Sequence, residues 1–160
     1  MSAPSLDIIT LATSHAKSYA SALQQSKSLS EWAHALSSHY LPGMISFTHG
    51  TVTKMDSDPA TSLLLYLEKV NKTFGRDFRT VNIRAEKVSE QSAVVWMTFE
   101  LRPKDGSEWI VWTNLYGFRV LGKEGDGMGT GRMGWEFTVA DGEIEAFAKR
   151  GPGVFGGMEG

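Results

Sequence analysis

The feature that most constrains the fold is a change of hydrophobic period near the middle of the chain. Before Gly75 most apolar residues recur at three- and four-residue steps, as on helices, whereas after Arg76 they alternate with polar residues, as on strands. The late strands carry Asn114, Tyr116 and Glu136 among large aromatic residues. A curved sheet wrapped around helices encloses a cavity, and polar groups in a dry cavity can do chemistry. The sequence therefore predicts a cup-shaped domain with a pocket.

Three helices are predicted in the first half of the chain. The first covers roughly 18 residues from Ile8, and the second follows a capping box formed by Ser28 and Glu31. The third is opened by Asp58-Pro59 and ends at Gly75, because proline fits the first helical turn and glycine the C-terminal stop. Leu41-Pro42-Gly43 is expected to end the second helix, with a short strand over residues 44–50.

The second half is predicted to be a sheet. The strands are expected at residues 81–86, 93–101 and 108–121 and around Glu136, with a glycine-rich loop or lid at 122–131 and a tight hairpin turn at Asp141-Gly142. Helices followed by an antiparallel meander indicate the α+β class rather than α/β.

Length and composition narrow the class of protein. A chain of 160 residues is expected to form one domain over 1–160, with a core at about 5–148 and an irregular tail at 149–160. A formal net charge of −2 argues against nucleic acid or an anionic membrane as the main partner. There is no cysteine, no signal peptide and no apolar run of the roughly 20 residues that cross a membrane, so a soluble cytoplasmic protein is expected.

Three segments resemble the SnoaL-like branch of the nuclear transport factor two-like (NTF2-like) superfamily. They are Tyr40-Leu-Pro-Gly-Met-Ile-Ser-Phe-Thr-His-Gly50, the helix opened by Asp58-Pro59, and Trp135-Glu-Phe-Thr-Val-Ala-Asp-Gly-Glu-Ile144. The resemblance implies a cone: a strongly bent antiparallel sheet wrapped around three N-terminal helices, often dimerising through the outer face of the sheet. It also implies a cofactor-independent enzyme similar to small fungal isomerases and cyclases that act on polycyclic, alkaloid or terpenoid intermediates.

Glu136 is the first candidate for a catalytic group. It lies between Trp135 and Phe137, in the strand where the resemblance places a polar pocket residue. A carboxyl buried in an apolar site can remain protonated near neutrality and act as general acid or base. The alternative is that strict alternation turns Trp135 and Phe137 inward and leaves Glu136 in solvent.

One face of the preceding strand supplies the other candidates. Trp112, Asn114, Tyr116 and Phe118 share this face because strand side chains alternate with a period of two. Facing the cup, Tyr116 would stabilise an oxyanion, Asn114 would orient a carbonyl, and Trp112 and Phe118 would form apolar walls. Alternatively the face carrying Val111 points inward and this set packs on a dimer partner.

Two histidines are the remaining candidates for functional residues. The resemblance places the carboxylate base of ketosteroid isomerase-like proteins near His49, which could replace it as a group titrating near neutrality. His39 is expected near the mouth of the cup, and His15 and His34 are expected to be structural. The histidine spacing favours no metal site.

Two functions remain open at this point. The first is a cofactor-independent isomerase, cyclase or dehydratase using Glu136, Tyr116 and His49 on a hydrophobic, oxygenated small molecule. The second is a non-catalytic binding or interaction module of the same fold. An enzyme should hold an acid with a perturbed pKa beside Tyr116 inside the cup.

Overall fold

The computed structural model describes residues 7–24, 28–55, 58–121 and 132–151. The described elements comprise four helices and six strands. In chain order they are α1 (Ile8–Gln24), α2 (Leu29–Ser37), β1 (Tyr40–Thr48), β2 (Thr51–Lys54), α3 (Pro59–Thr73), β3 (Asp77–Lys87), β4 (Ser92–Arg102), β5 (Ile110–Val120), β6 (Met133–Val139) and α4 (Asp141–Arg150). The predicted loop at 122–131 and most of the predicted tail lie outside the described residues.

The three predicted N-terminal helices are confirmed. Ser28 Oγ accepts a hydrogen bond from the Glu31 backbone N–H at 3.2 Å, which is the N-cap half of the predicted capping box. The Glu31 carboxylate accepts from the Ser28 hydroxyl at 2.9 Å. Pro59 occupies the first turn of α3, and Gly75 follows that helix with a φ of 102°, a conformation that favours glycine. Helix α2 ends before Leu41-Pro42-Gly43, which belongs to β1 instead.

The six strands form one curled sheet in the order β2-β1-β6-β5-β4-β3. All neighbouring pairs are antiparallel except β1 and β6, which run parallel. Gly134 lies at this parallel joint, where a Cβ atom would come within 2.7 Å of the His39 carbonyl oxygen. The predicted α+β cone is thus confirmed, with a sheet that is mixed but mostly antiparallel.

The core fills the space between the helices and the concave face of the sheet. α1 packs on β3 and β4, α2 packs on α3, and α4 packs on β5. The largest fully buried side chains of the core come from both the helices and the sheet: Trp32, Met44, Val70, Val95, Met97, Leu101, Phe118, Trp135 and Phe147. Burial of this much aromatic and aliphatic surface is the main force that holds the helices in the cone.

A β-bulge in β6 decides which residues face the core. Phe118 pairs with Trp135 and Gly117 pairs with Phe137, so Glu136 between them has no partner on β5. An extra residue in one strand shifts the alternation of side chains beyond it. Trp135 therefore points inward, Phe137 covers Gly117 on the outer face, and Thr138 points inward again.

The hairpin turn predicted at Asp141-Gly142 is wrong, because these residues begin helix α4. Asp-Gly is the strongest short hairpin signal, and for that reason it misled the prediction. The helix carries acidic residues in its first turn and Lys149 and Arg150 in its last, which complements the helix dipole. Phe147 anchors it against Phe74 and Trp112, with ring centroids 5.3 and 4.9 Å away.

Candidate functional site

A cavity of about 270 Å³ lies inside the cone. Helices α1 to α4 and all six strands contribute to its wall. The lining residues are Tyr19, Leu23, Leu36, Tyr40, Met44, Ser46, Thr48, Thr53, Met55, Leu63, Tyr66, Leu67, Phe78, Phe99, Trp112, Asn114, Tyr116, Thr138, Ala140, Glu143 and Ile144. Thr53 is exposed, which marks the side on which the cavity meets solvent.

A second, larger groove of about 440 Å³ lies between α1 and β3. It is shallow, and its wall is mostly polar, with Lys17, Ser21, Gln24 and Asn82 among its residues. Enclosure and an apolar wall with a few converging polar groups are typical of ligand sites. The cavity inside the cone has these properties and the groove does not.

Glu143 is the only carboxylic acid among the described residues of the cavity wall. It lies in the first turn of α4, where one carboxyl oxygen accepts a hydrogen bond of 2.7 Å from Asn114 Nδ2. The residue as a whole is partly exposed, but its carboxyl group is enclosed. This burial raises the pKa of Glu143 from 4.5 to about 8, because the charged form is poorly solvated there.

A chain of hydroxyl groups leads away from Glu143. Asn114 Nδ2 also donates to the Tyr116 hydroxyl at 3.2 Å, and Tyr116 is hydrogen-bonded in turn to Tyr19. The hydroxyls of Tyr19 and Tyr40 lie 3.0 Å apart. Burial raises the pKa of all three tyrosines, so they stay protonated and act as hydrogen-bonding groups near neutrality.

The side-chain amide of Asn114 uses its N–H groups in hydrogen bonds but not its carbonyl oxygen. Its Nδ2 group has two acceptors, whereas its Oδ1 atom is buried and has no hydrogen-bond partner within the described part of the chain. The Trp112 indole N–H is likewise buried and unpaired there. Unpaired buried polar atoms cost free energy, and in a cavity wall they are natural partners for a ligand.

Of the residues predicted on β5, the structure brings Trp112, Asn114 and Tyr116 into the cavity wall. The face carrying these residues points inward, and Val111 on the other face is 54% exposed. Phe118 shares the inward face but lies deeper. It is fully buried against His15 and Trp135, with ring centroids 5.2 and 6.1 Å away, and it does not line the cavity.

The predicted position of Glu136 inside the cup is wrong. Glu136 follows the inward-facing Trp135 and therefore points outward, and its Oε1 accepts a hydrogen bond of 2.7 Å from Arg119 Nε. The two side chains of this ion pair are 29% and 40% exposed, and neither residue lines the cavity. The carboxylic acid that the structure places in the cavity wall is Glu143, which the sequence analysis did not select.

The structure does not bring His49 to the cavity. It occupies the β1–β2 turn with Gly50, where both residues have a positive φ (48° and 77°), as a two-residue hairpin requires. Its backbone N–H donates to Asp141 Oδ1 at 2.5 Å, and its ring lies 3.9 Å from the exposed carboxylate of Glu145. The geometry therefore ties His49 to the start of α4 rather than to a ligand.

His39 also lies outside the cavity wall. Its Nδ1 is 2.9 Å from the Ala35 carbonyl oxygen and its Nε2 is 2.9 Å from Ser18 Oγ, so both ring nitrogens have partners that join α1 to α2. Neighbouring His15 contacts the His39 carbonyl oxygen at 3.0 Å, and burial lowers its pKa to about 4. Both side chains hold the helices together, and burial lowers the pKa of His39 as well.

Three residues of the site were missed by sequence reasoning: Glu143, Tyr19 and Tyr40. Glu143 was hidden by the hairpin prediction at Asp141-Gly142, although the acid-first, base-last pattern of residues 141–150 indicates a helix. Tyr19 lies on the predicted buried face of α1, but nothing in the local pattern indicates that its hydroxyl meets Tyr40. Among the described residues, no three His, Cys, Asp or Glu side chains converge on a metal position, and no described helix has the length and hydropathy to span a membrane.

Similarity to known proteins lies in the fold rather than in the sequence. No protein-family model matches the chain, and no curated protein sequence matches it. Three solved structures illustrate the similarity. A ketosteroid isomerase-like protein from Erwinia carotovora atroseptica SCRI1043 is 17% identical with a TM-score of 0.57, the match covering 82% of this chain and 92% of that one.

The other two structures are more distant in sequence. An NTF2-like protein from Anabaena variabilis ATCC 29413 is 11% identical with a TM-score of 0.55, over 87% of this chain and 91% of that one. A proposed polyketide cyclase from Xanthomonas campestris pv. campestris is 11% identical with a TM-score of 0.51, over 82% and 89%. At such identities the likeness is one of architecture alone. The chain therefore has the cone-shaped α+β fold of NTF2-like and ketosteroid isomerase-like proteins.

Proposed function

We propose that this protein is a cofactor-independent isomerase or cyclase for small hydrophobic molecules, with Glu143 as its general acid and base. The observation that carries the proposal is the enclosed Glu143 carboxyl, held at 2.7 Å by Asn114 in an aromatic cavity. A general acid–base group works best when its pKa lies near the working pH, and burial brings Glu143 into that range.

The neighbouring groups suit proton transfer without a cofactor. Asn114 fixes the orientation of the carboxyl, and Tyr116 with Tyr19 and Tyr40 extends a hydrogen-bonded path along the wall. Isomerisation and cyclisation both need a proton removed at one atom and delivered at another. A single carboxyl that is protonated and deprotonated near neutrality can do both steps.

The cavity also limits the size of the substrate. At the packing density of protein interiors, about 270 Å³ accommodates roughly ten to fifteen non-hydrogen atoms. We therefore expect a molecule of one or two rings rather than a larger polycyclic intermediate. The apolar walls formed by Trp112, Phe99 and Phe78 would hold such a ring system beside Glu143.

The proposal is tested with a model proton-transfer reaction. In 5-nitrobenzisoxazole a base removes the carbon-bound proton, the C–H electron pair forms the nitrile, and the N–O bond breaks to give a coloured phenolate. We expect kcat/KM to rise with an apparent pKa near 8, and Glu143→Gln to lose at least a hundredfold. Glu145→Gln removes an exposed carboxylate two residues away and should leave the rate unchanged.

Two outcomes would reject Glu143 as the base. One is a rate that Glu143→Gln leaves intact, and the other is a rate that Glu136→Gln abolishes. The second outcome would restore the carboxyl that the sequence selected, which the structure pairs with Arg119.

A non-catalytic binding module is the second candidate. It is favoured by the position after β1, where the resemblance to ketosteroid isomerase-like proteins implies a carboxylate base. That position holds His49, which points to Glu145 and leaves the end of β1 without a base facing the cavity. Ligand binding in the cavity without proton transfer to or from Glu143 would support this candidate over the enzyme.

We further propose that two copies associate through the outer face of the sheet. Partly or fully exposed Phe47, Val111, Leu115, Phe137 and Trp96 lie on this face. Apolar patches of this kind are commonly covered by a partner. Light scattering should give the mass of a dimer, and Val111→Glu should give that of a monomer.

A further inference from the structure

The described wall of the cavity contains one acidic side chain and no basic side chain. Glu143 is the only acid in the described part of the wall, and no lysine, arginine or histidine of the described chain lines it. The remaining titratable groups that face Glu143 are Tyr116 on β5 and Tyr40 on β1, which are both neutral near pH 7. An anionic ligand would find no counter-charge in this wall.

Most hydrogen-bonding groups near Glu143 are already paired with one another. The Tyr19 and Tyr40 hydroxyls are bonded to each other, and the Asn114 amide N–H groups are used by Glu143 and Tyr116. The Asn114 carbonyl oxygen, in contrast, has no donor within the described residues. Ser46, Thr48, Thr53 and Thr138 carry hydroxyls that serve either role. The unpaired acceptor beside Glu143 is thus the Asn114 carbonyl oxygen, and the unpaired donor on the same strand is the Trp112 indole N–H.

Aromatic rings make up much of the remaining wall. Seven of them line the cavity: Tyr19, Tyr40, Tyr66, Phe78, Phe99, Trp112 and Tyr116. They pack against one another, with the ring centroids of Phe99 and Trp112 5.8 Å apart and those of Tyr19 and Tyr116 5.5 Å apart. Aromatic faces attract organic cations, and the attraction is larger where water is excluded.

We propose that the ligand of this cavity is a small hydrophobic amine, bound as its ammonium ion between the aromatic rings and the Glu143 carboxylate. An ammonium group supplies a positive charge for the Glu143 carboxylate and N–H donors for the unpaired Asn114 carbonyl oxygen. This inference rests on the proposed function and names its substrate class, because the amine occupies the same site beside the same carboxyl.

Binding of this kind has a defined proton balance. The ammonium ion keeps its protons, and the neutral Glu143 carboxyl releases one proton to solvent as the ion pair forms. The affinity should therefore rise about tenfold per pH unit below the pKa of Glu143. Asp141 and Glu145 on the same helix are engaged with His49 outside the cavity, so they contribute little to this dependence. A neutral ligand of the same size would release no proton.

Matched indoles test the proposal by isothermal titration calorimetry at pH 6, 7 and 8. Tryptamine carries the ammonium group, tryptophol replaces it with a hydroxyl, and indole-3-acetate replaces it with a carboxylate. Each has roughly a dozen non-hydrogen atoms and so fits the cavity. We expect tryptamine to bind at least tenfold more tightly than tryptophol and indole-3-acetate to bind most weakly. Tryptamine binding should release nearly one proton at pH 6 and 7 and about half a proton at pH 8.

Two glutamine variants test whether Glu143 is the carboxylate that binds the ammonium ion. Glu143→Gln should weaken tryptamine at least tenfold and abolish the pH dependence, with little effect on tryptophol, whereas Glu145→Gln should change neither. Tryptophol binding as tightly as tryptamine, a flat pH dependence, or no tryptamine binding would overturn the proposal. Proton transfer from 5-nitrobenzisoxazole that persists in any of these cases rejects the ligand class alone. Amine binding that depends on Glu143, without any such proton transfer, rejects the enzymatic function alone.

Discussion

The buried carboxyl of Glu143 should leave a measurable mark on the pH dependence of stability. In the unfolded chain this carboxyl titrates near 4.5, and in the folded protein burial raises the pKa to about 8. The folded state therefore holds a proton that the unfolded state has lost throughout this window. By linkage, the stabilisation is complete below pH 4.5 and is lost as the pH rises through 8.

The magnitude follows from the difference between the two pKa values. Each pH unit inside the window lowers the free energy of unfolding by about 1.4 kcal/mol. His15 has the opposite sign, because its pKa is lowered from 6.5 to about 4 and its contribution is lost as the pH falls through that range. Between pH 6.5 and 8 only Glu143 of these two groups acts, and we expect a loss of about 2 kcal/mol. For a chain of this length that corresponds to a fall in Tm of roughly 4–8 °C.

Glu143→Gln isolates this contribution, since glutamine has the same shape and can still accept from Asn114. Urea unfolding monitored by tryptophan fluorescence at pH 6.5, 7, 7.5 and 8 gives the free energy for each protein. The wild-type value should fall relative to the Glu143→Gln value across this series. Glu145→Gln, whose carboxyl side chain is 61% exposed, should follow the wild type. Parallel lines for wild type and Glu143→Gln would refute the burial of this carboxyl.

Three further substitutions test other parts of the structure. Tyr116→Phe removes the hydroxyl that accepts from Asn114 and links it to the other tyrosine hydroxyls, and it should lower the free energy of urea unfolding by about 1 kcal/mol. An unchanged free energy would show that these hydrogen bonds make no net contribution to stability. Gly134→Ala places a Cβ atom 2.7 Å from the His39 carbonyl oxygen and should lower the free energy of unfolding by about 1–3 kcal/mol, seen as a lower Tm. An unchanged Tm would contradict the close approach of β6 to β1. His49→Ala should leave the rate with 5-nitrobenzisoxazole within about twofold, because the ring lies outside the cavity; a large loss of rate would assign His49 a role in the chemistry.

Much of the fold could be predicted because its signals are local. The three N-terminal helices are marked by apolar spacing, by the Ser28 N-cap of α2 and by Pro59 in the first turn of α3. The strands are marked by alternation, and the inward face of β5 carries Trp112 and Tyr116 as expected from a period of two. Each of these signals depends on neighbours within one or two turns of the same element.

The candidate site was harder to predict because it depends on two departures from local rules. Strict alternation in β6 gives no warning of the bulge at Glu136, beyond which Phe137 faces outward and Thr138 lines the cavity. The Asp141-Gly142 dipeptide favours a hairpin locally, but Phe147 can bury its ring against Phe74 only if the segment is helical. Tertiary packing outweighs a turn propensity of this size.

The sequence by itself determined the class of fold, the three N-terminal helices, most of the strands, and a cavity lined by one face of β5. Only the tertiary structure decided which acid lines that cavity: Glu136 points out to Arg119, and α4 brings Glu143 in to Asn114. The physical reason is that periodicity reports the faces of single elements. The environment of a carboxyl is set by contacts between elements far apart in the chain, here 29 residues between Asn114 and Glu143.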